Sequence, residues 1–130
     1  MLKKDGNPFS FLIVDDSRFA RSSLIKLVEQ LGGAVIGEAA SGAEALELHA
    51  QLQPDVVTMD LSLPDVDGII LVRKMMNVDP HTLIILSSGI SHEEVIEEAL
   101  RAGAEHFISK PLDMDKAKQI IEWVLRVSDK

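Results

Sequence analysis

Asp15 and Asp16, Asp60, Ser87 and Lys110 are the residues whose types and spacing could do chemistry together. Each follows a short apolar run. Phe11-Leu12-Ile13-Val14 precedes the acidic pair, and Val56-Val57-Thr58-Met59 precedes Asp60. Leu83-Ile84-Ile85-Leu86 precedes Ser87, and His106-Phe107-Ile108-Ser109 precedes Lys110. Three carboxylates gathered at one place repel one another unless something positive sits among them. A hard divalent cation meets that need, and Mg²⁺ typically takes one or two carboxylates with waters and phosphate oxygens. Such an ion neutralises charge on a transferring phosphoryl group. An aspartate there can also be a nucleophile and form an aspartyl-phosphate. A hydroxyl such as Ser87 then bonds one phosphoryl oxygen, and an ammonium such as Lys110 pairs with another. The set suits phosphoryl transfer to Asp60.

Singly, each residue has a plainer reading: a turn former or helix cap, a loop hydroxyl, a solvated charge. The intervals bring them together. Asp16 and Asp60 lie 44 positions apart, Asp60 and Ser87 lie 27, and Ser87 and Lys110 lie 23. A strand, a crossover helix and a returning parallel strand take roughly 30 residues. The first interval therefore fits two such units and the others one each. Parallel strands all end at one edge of the sheet, and ligands of open α/β sheets bind in the crevice outside that edge.

The elements that must position these residues are legible as alternating short β-like runs and longer helical patterns. Strands are expected at Phe9–Val14, Ala34–Ala39, Asp55–Met59, Leu83–Leu86 and Glu105–Ile108. The central ones are apolar on consecutive residues, as parallel strands covered on both faces are. Ser17 caps a first helix carrying Ala20, Leu24, Leu27, Val28 and Leu31, and Gly32-Gly33 stops it. Ser41 and Glu44 form a capping box ahead of Ala45, Leu46, Leu48 and Leu52. Gly68 opens a third helix, closed by Asp79-Pro80, and Ser91 with Glu94 boxes a fourth that ends at Gly103. The last helix runs from about Met114 to Val127. The fold class is α/β, a (βα)5 doubly wound parallel five-stranded sheet.

Length and composition agree with that class. The chain has 130 residues, most simply one domain, and its 46% apolar content excludes disorder. No apolar run is long enough to span a bilayer. The start, Met1 to Pro8, lacks a secretory signal and reads as a short polar lead-in. Without cysteine there is no disulfide framework and no thiolate metal site. The expectation is a soluble, cytoplasmic protein. A net charge of −8, from 13 basic and 21 acidic residues, opposes direct nucleic-acid binding.

Asp15-Asp16, Asp60, Leu63-Pro64-Asp65-Val66-Asp67-Gly68, Ser87 and Lys110-Pro111 together resemble the receiver domain of two-component response regulators. The resemblance runs from about Phe9 to Val127. It implies a flavodoxin-like fold with strand order 2-1-3-4-5, the order for which a chemotaxis receiver is a standard example. It implies that Asp60 accepts a phosphoryl group from a histidine kinase or a histidine phosphotransfer protein. Mg²⁺ would be held by Asp15, Asp16, Asp60 and the Ser62 backbone carbonyl, with Ser87 and Lys110 contacting the phosphoryl group. A cis Lys110–Pro111 bond would aim the lysine, and Gly68 would serve the tight turn into the third helix. The family switch couples Ser87 to Phe107, whose inward turn changes the surface of the fourth helix and last strand. Ordinary core packing is the competing reading of Phe107.

Two departures stand out: Phe107 replaces the commoner tyrosine, and Ser88 is larger than the usual alanine, narrowing access to the phosphoryl group. Val14 to Arg21 resembles chemotaxis-type receivers most. No output domain is visible, so a single-domain regulator, a phosphorelay intermediate and a receiver cut from a longer protein all fit. Alternatives are an aspartate-nucleophile phosphatase of the haloacid dehalogenase type and a flavin-binding flavodoxin-like domain. Asp60-Leu61-Ser62 lacks the Asp-x-Asp of the former, and no Ser/Thr-rich phosphate loop follows the first strand for the latter. A phosphorylation-independent interaction module is the remaining alternative. His49, His81, His92 and His106 lack metal-ligand spacing, and His106 reads as a plain strand residue. Glu93, Glu94, Glu97 and Glu98 read as a solvated helix face, with a docking surface as the alternative. Trp123 on the last helix reads as edge packing, with a partner anchor as the alternative.

Overall fold

Consecutive apolar residues suit a strand only where both of its faces are covered, and the central strands of this chain are covered on both. The computed structural model describes residues 2–89 and 93–128. Its elements are β1 (Ser10–Val14), α1 (Arg18–Gln30), β2 (Ala34–Ala39), α2 (Gly42–Leu52), β3 (Val56–Asp60), α3 (Gly68–Val78), β4 (Leu83–Ser88), α4 (Glu93–Arg101), β5 (His106–Ser109) and α5 (Met114–Ser128). The strands form one five-stranded sheet in the order β2-β1-β3-β4-β5, and every pairing is parallel. This is the doubly wound (βα)5 architecture expected from the sequence.

Alternate residues of each strand feed separate cores. Leu12, Val14, Val57, Met59, Ile84 and Leu86 pack with Ala45 of α2, Val72 and Met75 of α3 and Ala99 of α4. Phe11, Ile13, Val56 and Ile85 pack on the other face with Leu27 and Val28 of α1 and Ile121 and Leu125 of α5. Hydrophobic burial of side chains this size contributes roughly 1.5–3 kcal/mol each. That is the main force holding the strand ends in line.

Local chemistry sets the helix ends. The Ser17 hydroxyl accepts the Ala20 N–H at 3.2 Å, and the Ser41 hydroxyl accepts the Glu44 N–H at 3.2 Å. Glu44 reaches back one residue further than a capping box does, to the N–H of Ala40 at 2.8 Å. Asp67 caps α3 through the Ile69 N–H at 2.8 Å. Gly103 follows α4 with φ +127°, a conformation that L side chains rarely adopt. The Ser91 cap and His92 lie outside the described residues.

The lead-in is more ordered than its composition implies. Leu2 bridges Pro8, and the Lys3 ammonium lies 3.2 Å from the Asp55 carboxylate. Asp55 also accepts the Ser10 N–H at 2.8 Å. It thereby ties the segment to the edge of the sheet opposite the strand ends that carry the acids.

Candidate functional site

The carboxyl ends of β1, β3, β4 and β5 gather the residues of interest. Asp15 follows β1 and is fully buried, while Asp16 beside it is exposed. Asp60 is the last residue of β3 and is 3% exposed. In the parallel register it faces Ser87 of β4, also 3% exposed. Lys110 follows β5, and its backbone N–H donates to the Ser88 carbonyl at 2.7 Å.

Each buried acid divides its oxygens in the same way. Asp15 Oδ1 accepts the Ser17 N–H at 2.9 Å, and Oδ2 lies 2.9 Å from Lys110 Nζ. Asp60 Oδ1 accepts the Ser62 N–H at 2.8 Å, and Oδ2 lies 3.2 Å from the same ammonium. One oxygen therefore fixes the carboxylate to its own turn and the other shares the lysine. Burial pulls the Lys110 ammonium down, but its bonds and charge attraction to Asp15 and Asp60 outweigh that and raise its pKa above the ordinary lysine value. Lys110 is the positive group that the cluster of acids demands.

Asp15, Asp16 and Asp60 each offer an oxygen within 4.8 Å of the others. Hard carboxylate oxygens without sulfur or imidazole suit Mg²⁺ or Ca²⁺ and not a softer metal. The donor set fits a hard divalent cation. Ser62, two residues beyond Asp60, is exposed.

Gly68 is the first residue of α3. It is not among the positive-φ glycines. A Cβ there would stand 3.1 Å from both the Cα and the carbonyl oxygen of Leu61. What the position requires is the absence of a side chain, so that α3 can start against the residue following Asp60. The Lys110–Pro111 bond is cis.

Phe107 is half-buried and packs against the core formed with α2, α3 and α4. It lines a groove of ≈ 420 Å³ between β5 and α4, with Gly89, Glu93, Ile96, Glu97 and Leu100. Ser88 is buried, and its hydroxyl donates to the Gly89 carbonyl at 3.2 Å. His106 does more than occupy a strand: its ring sits between Phe107, at 5.6 Å, and Trp123, met edge-on at 5.8 Å. Trp123 remains 50% exposed.

The sequence names two further residues without revealing their contacts. His49 is 1% exposed, and its Nε2 is 2.9 Å from the Thr82 hydroxyl. Its place four residues after the buried Ala45 was the available signal. Asp65 accepts two backbone N–H groups from α2, a contact between segments distant in the chain.

Fold and acidic site together define a class of protein, and the chain belongs to the response regulator receiver domain family, whose model matches residues 11–122. Among individual relatives, it is 38% identical over 117 residues to the chemotaxis protein CheY of Thermotoga maritima, spanning 90% of this chain and 95% of that one. CheY of Bacillus subtilis is 35% identical over 114 residues, spanning 88% of this chain and 95% of its own. Among solved structures, the CheX–CheY–BeF3–Mg²⁺ complex from Borrelia burgdorferi superposes with a TM-score of 0.88 at 35% identity, covering 95% of this chain and 94% of that one. This is a CheY-like receiver domain of two-component signalling. No helix among the described residues is long and apolar enough to cross a membrane.

Proposed function

We propose that the protein is a phosphorylation-controlled signalling switch in which Asp60 accepts a phosphoryl group. The observation that carries this reading is the Lys110 ammonium held between the Asp15 and Asp60 carboxylates, with Ser87 across from Asp60. The donor is the phosphohistidine of a histidine kinase or a histidine phosphotransfer protein. An Asp60 carboxylate oxygen attacks phosphorus, the P–N bond to the donor imidazole breaks, and its electron pair stays on that nitrogen.

Asp15, Asp16 and Asp60, with the Ser62 carbonyl, would hold Mg²⁺, the ion named in the Borrelia complex. When bound, Mg²⁺ offsets negative charge on the phosphoryl oxygens. Lys110 exchanges its contact with Asp60 for one with a phosphoryl oxygen, staying on Asp15. The Ser87 hydroxyl moves toward another phosphoryl oxygen and donates a hydrogen bond to it. Phe107 turns into the room vacated, and the groove shared with α4 changes shape for a downstream protein. The chain is a switch whose own residues promote gain and loss of its phosphoryl group, not an enzyme acting on a separate metabolite.

Borohydride reduction after incubation with acetyl phosphate and Mg²⁺ tests the assignment, because it converts an aspartyl-phosphate to homoserine. Peptide mapping is expected to find homoserine at position 60. Homoserine at position 15 or 16, or none, would overturn it.

A further inference from the structure

The loop that leaves Asp60 returns at Gly68, and its middle is held by a helix on another part of the chain. Asp65 Oδ1 accepts the Gly42 N–H at 2.8 Å, and Oδ2 accepts the Ala43 N–H at 3.1 Å. These are the first amides of α2, which have no acceptor within the helix. Asp65 adds a further acid to the loop that follows Asp60. Here the positive end of α2 offsets its charge. The same two N–H groups hold the Asp65 carboxyl below the usual carboxylate range.

A second contact is steric and independent of charge. A Cβ on Gly42 would overlap Val66 Cγ1 and stand 3.3 Å from Asp65 Oδ1. The loop therefore occupies the space that glycine leaves at the start of α2. At its other end the Ser62 N–H is tied to Asp60, and Leu63 between the two contacts is buried in the core. Ser62 thus lies on a short span held at both ends, between Asp60 and the Asp65–α2 contact.

Resting on the reading of the acidic site as a divalent-cation site, we propose that Asp65 is a positioning residue for metal binding. By docking the loop on the N-terminus of α2, it holds the Ser62 carbonyl in register with Asp15, Asp16 and Asp60. A carbonyl on an unrestrained loop would be ordered only on binding, at a cost in affinity.

The test is Mg²⁺ titration by calorimetry on the full chain, with Asp65→Ala, Gly42→Ala and Ser41→Ala, and thermal melting of each without Mg²⁺. Asp65→Ala removes the carboxylate, whereas Gly42→Ala displaces the loop and leaves every charge in place. Ser41→Ala weakens the same helix end without touching the loop. Asp65→Ala and Gly42→Ala are expected to weaken Mg²⁺ binding about tenfold, the scale seen when groups that orient metal ligands are removed. Ser41→Ala is expected to melt lower yet bind as the wild type does. Unchanged affinity in Asp65→Ala would overturn the proposal. So would unchanged affinity in Gly42→Ala alone, which reduces the effect to charge, or an equal loss in Ser41→Ala, which reduces it to helix stability. A wild-type chain that binds no Mg²⁺ would overturn the cation-site reading itself.

Discussion

Lys110 holds two carboxylates that are almost completely removed from water, and each would be an uncompensated charge without it. Its side chain is 31% exposed, so the loss on removal is smaller than for a fully buried pair. Lys110→Met is expected to cost about 2 kcal/mol at neutral pH, read as a lower urea midpoint with an unchanged slope. The raised pKa gives the contribution its sign: it is fully present below the ordinary lysine value and lost only as pH rises through the higher folded value. The wild-type lysine contribution should therefore be level across the neutral range. A variant as stable as the wild type would show the two acids to be stabilised by something else.

His49 shows how an element far from the acids can still set the pH range of the fold. Burial lowers its pKa, with the Asp79 charge opposing in part, so the neutral ring is the one that α2 packs against Thr82. The unfolded chain binds the proton more readily than the folded one, so stability falls as pH drops through about 6.5, the unfolded value. In urea unfolding at a series of pH values, the wild type should weaken on acidification through that range, and His49→Leu should flatten the dependence there. An identical pH profile in His49→Leu would contradict the account. The strands were legible because both faces of each central strand are buried, which leaves consecutive apolar residues such as Val56 and Val57. The acids, Ser87 and Lys110 were legible because strand ends at that spacing share one edge. His49, Asp65 and the Lys3–Asp55 pair were not, since each depends on a partner distant in the chain that no local pattern announces. Spacing marks Gly68 as a helix start, while only the fold reveals the Leu61 backbone pressed against it.

At the scale of the whole molecule, one edge of the sheet concentrates negative charge in a chain already at −8. Binding a cation to the folded state alone stabilises it, by about 1.4 kcal/mol at tenfold excess over Kd. For a domain of this size that is a rise in Tm of about 5 °C. Differential scanning calorimetry should find this rise with Mg²⁺ in the wild type and a much smaller one in Asp16→Asn. Equal rises would place the stabilising ion elsewhere. Asp60 is the proposed acceptor, and intact mass tests that most directly. The protein would be incubated with acetyl phosphate, with and without Mg²⁺, beside Asp60→Asn. The account predicts a Mg²⁺-dependent gain of a single phosphoryl group in the wild type and none in the variant. The same gain in Asp60→Asn, or no gain in the wild type, would contradict it.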